Sequence, residues 1–202
     1  MNPNRAIFFT GHMVDLPERP RAKRRFPEAM EPLARQAIDE KLELIVARQE
    51  SLIAISAAAR GGDILFLEAC RQRGIQYLLA LPFAPERFFE TSVKGAPGGW
   101  EERYWRLWEE TSPQQRLIMP ATRSGEDPYA QHNLWLAQLA KERAPSTSLI
   151  ALWDGAGGDG PGGTADVVAR VVEAGGEVLR IDSRQLLREL ESQEDTGEAT
   201  KS

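Results

Sequence analysis

The chain has 202 residues, of which 42% are hydrophobic and 27% charged, a balance typical of one folded domain and not of a disordered or collagen-like protein. Its 25 Lys and Arg against 30 Asp and Glu give a net charge of −5, which disfavours a long nucleic acid as the main partner. The single cysteine, Cys70, excludes an intrachain disulfide and a multi-cysteine metal site, and it fits a reducing compartment.

The first half of the sequence alternates short apolar runs, typical of buried strands, with amphipathic helical patterns. In chain order we predict a strand at 5–10, a helix at 28–49, a strand at 52–56, a helix at 63–73 and a strand at 75–81. The intervening segment 17–27 contains three prolines, which favour a loop. Its run of Arg and Lys residues is either solvated or positioned to bind phosphates.

The second half continues the alternation after an insertion. We predict helices near 85–93 and 100–111, a strand at 116–119, a helix at 128–142, a strand at 148–153, a helix at 164–174 and a strand at 177–181. This order predicts an α/β fold: a Rossmann-like open, mostly parallel sheet with helices on both faces and a helical insertion between the third and fourth strands. Residues 1–187 are expected to form one domain, and the acidic residues 188–202 a disordered tail.

The insertion carries an aromatic stripe of Trp100, Tyr104, Trp105 and Trp108 on one helix, after the glycine-rich segment 95–99. Core packing is the ordinary role of such a stripe. A lid that stacks on a purine is the alternative, with the glycines as its hinge.

No stretch approaches the roughly 20 consecutive apolar residues that a membrane-spanning helix needs, and the N-terminal segment lacks the pattern of a signal peptide. We therefore expect a cytoplasmic protein with no membrane partner.

The strongest candidate for a binding site is the glycine-rich run at 155–163, between the fifth predicted strand and its helix. Gly160, Gly162 and Gly163 allow a ligand to approach the backbone closely, and Thr164 and the first helical amides can donate to an anion. Because ligands of open parallel sheets bind beyond the carboxyl ends of the strands, this run predicts a phosphate site. A plain surface loop with a helix cap at Thr164 is the alternative.

Small residues also follow the second predicted strand, in the segment SAAARGGD at 56–63. Ser56 and Gly61 let a ligand lie against the backbone, and the guanidinium of Arg60 can bind a phosphate or carboxylate. Asp63 is either the cap of the following helix or an acceptor for a ligand hydroxyl. We predict that all four residues take part in binding.

The first predicted strand ends at Gly11 and His12, which places both at the same edge of the sheet. His12 suits contact with a ligand or proton transfer, and a hydrogen bond to a loop carbonyl is the structural alternative. Tyr129 and Asn133, four residues apart on the helix predicted at 128–142, are further candidates to face the ligand. Two distant histidines and one cysteine do not predict a metal site, and no cofactor is expected.

The segments Ser56–Asp63 and Gly160–Asp166 together resemble the SLOG superfamily of Rossmann-like domains. This superfamily includes the LOG-type phosphoribohydrolases, the DNA-processing protein A family and ligand-sensing domains of nucleotide signalling systems. The resemblance covers roughly residues 5–182. It implies a pocket for a nucleotide or a derivative such as an ADP-ribose-like compound, with the phosphate at the glycine-rich loop.

The sequence departs from the hydrolase members at one position. Their catalytic glutamate lies three residues after the threonine of the loop, where this chain has Val167, and the nearest carboxylate is Asp166. One residue is a rotation of about 100° on a helix. We therefore expect a sensor or regulatory module, with two alternatives: an N-glycosidase or phosphoribohydrolase using Asp166 or Asp63, and a protein-interaction scaffold with a vestigial pocket. The expected partner is a nucleotide-derived small molecule; a homo-oligomer and an effector protein stay open.

Overall fold

The computed structural model describes residues 2–120, 127–157 and 163–199, with side chains described up to residue 193. In these residues the chain forms six strands and seven helices. The strands are β1 (Arg5–Gly11), β2 (Leu52–Ser56), β3 (Gln76–Leu81), β4 (Arg116–Ile118), β5 (Ser146–Trp153) and β6 (Glu177–Asp182). The helices are α1 (Glu31–Val46), α2 (Gly62–Gln72), α3 (Pro85–Ser92), α4 (Trp100–Glu110), α5 (Pro128–Arg143), α6 (Thr164–Glu173) and α7 (Ser183–Ala199).

The six strands form one parallel sheet in the order β4-β3-β2-β1-β5-β6. All five neighbouring pairs are parallel. The predicted Rossmann-like α/β fold is confirmed, as is the helical insertion, which consists of α3 and α4 between β3 and β4. Strand order reverses at β1, whose two neighbours are β2 and β5, so a crevice is expected beyond the carboxyl end of β1.

The two faces of the sheet are covered by separate hydrophobic clusters. Phe8 and Phe9, adjacent on β1, belong to different clusters because successive side chains of a strand point to opposite faces. Phe9 stacks on Phe66 of α2 with ring centroids 5.2 Å apart. Phe8 packs in the cluster that includes Leu136 of α5 and Val171 of α6. Burial on both faces explains why β1 reads as a continuous apolar run.

The aromatic stripe of α4 belongs to the core. Trp100 and Tyr104 are fully buried, and Trp105 and Trp108 pack against the same cluster. The Tyr104 hydroxyl donates a hydrogen bond to the carbonyl of Pro85, 3.0 Å away. The core interpretation is therefore confirmed, and the stripe is not an exposed lid.

Residues 188–199, for which the sequence predicts a disordered tail, continue helix α7 in the structure. Leu186, Leu187 and Leu190 pack against the main hydrophobic cluster and hold this helix to the domain. The Gln185 side chain also donates to Glu189, one turn later, at 2.8 Å. The sequence did not indicate this helix, because its few leucines lie among many acidic residues. Within the described residues, no helix is long and apolar enough to cross a membrane.

Candidate functional site

A cavity of about 390 Å³ opens at the carboxyl edge of the sheet, where the strand order reverses; we call it the edge cavity. Its floor comes from the end of β1, and its walls come from the starts of α2 and α6 and from α3 and α5. A second cavity of about 510 Å³ lies between α5 and α6 over Phe8. That cavity is mainly apolar, whereas the predicted binding residues His12, Asp63 and Thr164 line the edge cavity.

The predicted site residues divide into three groups. Those that line the edge cavity are Gly11, His12, Asp63, Gly163 and Thr164. Those that do not line it are Ser56, Arg60, Gly61 and Asp166. Gly160 and Gly162 lie outside the described residues.

Helix α6 begins at the edge cavity. Its N-cap residue is Gly163, which has no side chain to bond the first amides, and Thr164 is its first residue. The hydroxyls of Thr164 and Thr10 lie 3.5 Å apart, across the gap between α6 and β1. A helix N-terminus carries partial positive charge, and hydroxyls donate readily to phosphate oxygens. This end of the cavity is therefore suited to an anion.

Asp63 lies in the first turn of α2 and also lines the cavity. Its Oδ1 accepts a hydrogen bond of 2.6 Å from the hydroxyl of Ser56, which is itself fully buried. Burial raises the pKa of Asp63 to about 6, although the hydrogen bond from Ser56 and the backbone amides of Ala57 and Asp63 act in the opposite direction. Ser56 thus acts through Asp63 and has no contact of its own with the cavity.

His132 of α5 contributes a second buried titratable group to the cavity lining. Burial lowers its pKa to about 4, so its imidazole is neutral at pH 7. Its Nε2 is 2.9 Å from the carbonyl oxygen of Ala80, an acceptor, so Nε2 carries the proton and Nδ1 is the acceptor of the ring. A neutral ring in this tautomer offers the cavity no positive charge.

His12 both lines the cavity and supports the loop that follows β5. Its Nε2 accepts a hydrogen bond from the backbone N–H of Asp154 at 3.3 Å, and the Asp154 carboxylate is 3.7 Å away. Its backbone N–H donates to Leu152, extending the pairing of β1 with β5. The structural alternative predicted for His12 is a bond to a loop carbonyl, whereas its Nε2 accepts from a loop N–H. Contact of His12 with a ligand stays a prediction.

Arg60 and Gly61 hold the backbone around the cavity. The Arg60 side chain is buried, and its Nε donates to the carbonyl of Val14 at 3.1 Å. Gly61 has φ +97°, and a Cβ there would lie 2.6 Å from the backbone nitrogen of Val14. Arg60 does not line the edge cavity, and its Nε is bonded to the segment after β1, so its binding of a ligand phosphate stays a prediction.

Asp166 and Val167 occupy different sides of α6. Asp166 forms an ion pair with Arg170 one turn later, at 3.0 Å. Val167 is buried in the cluster beneath the sheet. Of the two carboxylates predicted as catalytic alternatives, Asp63 lines the edge cavity and Asp166 does not.

Another wall of the cavity comes from α3 and α5. Tyr129 and Asn133 line it, as the sequence predicted, and so do Phe88 and Ser92 of the insertion, which the sequence did not indicate. The Ser92 and Tyr129 hydroxyls lie 3.2 Å apart and join the two helices. No local signal marks Phe88 or Ser92, because they reach the site only through the packing of the insertion.

One residue of the basic loop also lines the cavity, namely Arg25. The Asp15 carboxylate accepts hydrogen bonds of 2.9 Å from the backbone N–H groups of Arg25 and Phe26 and so holds this part of the loop in place. In the part of the chain that the structure describes, no group of three His, Cys, Asp or Glu residues could hold a metal ion.

Comparison with known proteins returns no matching family model and no matching curated protein. Among solved structures, the chain is similar to DNA processing protein A (DprA) from Streptococcus pneumoniae, with 13% sequence identity and a TM-score of 0.33. The similarity covers 90% of this chain and 59% of that one, so the chain spans about three fifths of the length of the solved protein. The fold assignment accordingly rests on the sheet topology itself.

Proposed function

We propose that residues 1–187 form one SLOG-like domain that binds a phosphate-bearing nucleotide or nucleotide derivative, such as an ADP-ribose-like compound, and acts as a sensor or regulatory module. The observation that carries this proposal is the start of α6, where Gly163, Thr164 and Thr10 present amides and hydroxyls to a cavity at the reversal of strand order. The volume of about 390 Å³ is in the range of small-molecule sites.

The test is mass spectrometry on the purified protein after incubation with mononucleotides, dinucleotides, cyclic nucleotides and ADP-ribose, recording retained ligand and released base. A retained, unaltered compound is the expected result. Retention of no compound from the panel would overturn the proposal and favour a scaffold with a vestigial pocket.

Two variants locate the binding. Gly163→Asp places a carboxylate at the N-cap of α6, where Asp is a favourable capping residue, so folding should be retained while the phosphate is repelled. Gly157→Asp adds the same charge to an exposed residue with open space around its Cβ, and it does not line the cavity. We expect retention to be lost in Gly163→Asp and kept in Gly157→Asp. Equal retention in both variants would place the phosphate elsewhere.

The second candidate function is a nucleotide N-glycosidase or phosphoribohydrolase that uses Asp63. The observation that favours it is a buried carboxyl in the cavity with its pKa raised to about 6, close to the pH at which general acid and base groups work best. Released base in the same incubations, lost in Asp63→Asn while binding is kept, would support this enzyme. Intact ligand throughout would leave the sensor as the function.

A further inference from the structure

Different chemical groups line the edge cavity at successive positions along the edge of the sheet. The strand order places β5 with α6 first, then β1, then β2 with the start of α2, and then β3, which leads into α3. Thr164 lies beside Thr10 near the end of β1, and Asp63 is bonded to Ser56 at the end of β2. Ser92, on the helix that follows β3, contacts Tyr129. Along the sheet edge, the strand order therefore sets Asp63 between the start of α6 and the pair of Ser92 and Tyr129.

Asp63 has acceptor capacity left for a ligand. A carboxylate accepts about four hydrogen bonds, and the Ser56 hydroxyl donates one of them at 2.6 Å. The backbone amides of Ala57 and Asp63 also act on this carboxylate and favour its charged form. Since Asp63 lines the cavity, its acceptor capacity is available to a ligand. A phosphate at this point would be repelled by the carboxylate, whereas a neutral hydroxyl would be bound.

The two ends and the middle therefore match the order of groups in a 5′-nucleotide: phosphate, sugar, base. Resting on the function proposed above, we infer that Asp63 accepts a hydrogen bond from the ribose diol of the ligand, with the 5′-phosphate at the start of α6 and the base beside Tyr129 and Ser92. Asp63 is then the residue that makes the cavity prefer ribonucleotides to nucleotides whose sugar lacks these hydroxyls.

The ribose assignment predicts a coupling between one side chain and one part of the ligand. Removing a hydroxyl that a buried carboxylate binds is expected to lower affinity at least about tenfold. In this arrangement the loss is expected to depend on Asp63, because its carboxylate is the acceptor assigned to the ribose hydroxyls. A merely structural role for Asp63 would instead weaken both classes of ligand by the same factor.

The experiment is isothermal titration calorimetry with the ribonucleoside 5′-monophosphates of adenine, guanine, cytosine and uracil and with their 2′,3′-dideoxy counterparts. We expect the wild-type protein to prefer the ribose form of the bound base by at least about tenfold. In Asp63→Asn the two forms are expected to bind within about threefold of each other. The matched control is Asp39→Asn, which removes a carboxylate paired with Arg73 outside the cavity and should keep the full preference.

Each outcome decides the inference. Equal binding of ribose and dideoxy forms by the wild type would overturn it while supporting the proposed function, and this comparison needs no variant to fold. A preference that persists undiminished in Asp63→Asn would overturn it as well. If no monophosphate of either sugar binds, the inference about Asp63 fails. The proposed function fails as well only if the protein also retains no compound in the mass-spectrometry experiment.

Discussion

The hydroxyl of Ser56, at the end of β2, donates a hydrogen bond of 2.6 Å to the carboxylate of Asp63, in the first turn of α2. Both residues are buried, Ser56 completely and Asp63 to all but 8% of its surface. The bond ties the end of a strand to the helix that follows it. It also fixes the orientation of the buried carboxylate at the edge cavity.

This buried carboxyl should make stability depend on pH. Its pKa is raised from 3.8 to about 6 on folding, so between these values the folded chain binds the proton more tightly than the unfolded chain. Its contribution to stability is therefore largest at low pH and is lost as pH rises through about 6. Between pH 5 and 8 the free energy of unfolding of the wild type should fall by about 1 to 2 kcal/mol more than that of Asp63→Asn.

Urea unfolding of the two proteins at several pH values from 5 to 8 measures this difference. Because other groups titrate equally in both proteins, the difference between the two curves isolates Asp63. Parallel curves would show that the pKa of Asp63 is the same in the folded and unfolded chains.

Gly61 should tolerate alanine much less well than Gly74. Both have positive φ, +97° and +66°, but a Cβ at Gly61 would lie 2.6 Å from the backbone nitrogen of Val14, whereas Gly74 has open space. Gly74→Ala should cost about 1 kcal/mol from its backbone conformation alone. Gly61→Ala should cost about 3 kcal/mol or more, since the segment after β1 must also move. Chemical denaturation of both variants checks the order, and equal costs would contradict the close approach.

Trp100 should matter for stability and not for ligand binding. It is fully buried in the main cluster, with the Arg103 guanidinium 3.9 Å above its ring. Trp100→Leu should lower the free energy of unfolding by on the order of 2 to 3 kcal/mol, because the smaller side chain leaves a cavity. The folded variant should retain the same compounds as the wild type. Loss of retention without loss of stability would indicate a lid.

Asp166→Asn should leave both binding and any release of base unchanged. Asp166 is paired with the half-exposed Arg170 on the surface of α6 and does not line the edge cavity. Its removal should lower the free energy of unfolding by about 1 kcal/mol or less, the range of an exposed ion pair or of a carboxylate in the first turn of a helix. The retention and release experiment checks this directly. Turnover that disappears in Asp166→Asn would return the catalytic assignment from Asp63 to Asp166.

The elements could be predicted closely because their signals are local. The continuous apolar run at β1 indicates a strand that is buried on both faces. The three- and four-residue spacing of apolar residues in α1 indicates a helix that is buried on one face. Helix α7 was the exception. Its leucines at 186, 187 and 190 are few among acidic residues, and only the presence of a facing core cluster makes them sufficient to hold a helix.

The sequence predicted part of the cavity lining, and the side-chain directions that it could not predict depend on tertiary packing. Gly11, His12, Asp63, Gly163 and Thr164 line the cavity because the ends of parallel strands and the starts of the helices that follow them lie at the carboxyl edge of the sheet. Arg60 does not line the cavity, because its long side chain instead donates to the carbonyl of Val14. Asp166 does not line it either, because the rotation of α6 is set by Val167 and Val171 in the core.

The sequence by itself determined the α/β alternation, the edge at which small and polar residues collect, and the glycine and threonine that open α6, since each follows from local periodicity or backbone conformation. Only the tertiary structure decided which side chains meet there. It excluded Arg60 and Asp166 from the cavity lining and brought in Ser92 and His132 from distant helices. Strand order, helix rotation and the packing of the insertion depend on contacts between residues that are distant in sequence. The spacing of residues along the chain does not reveal these contacts.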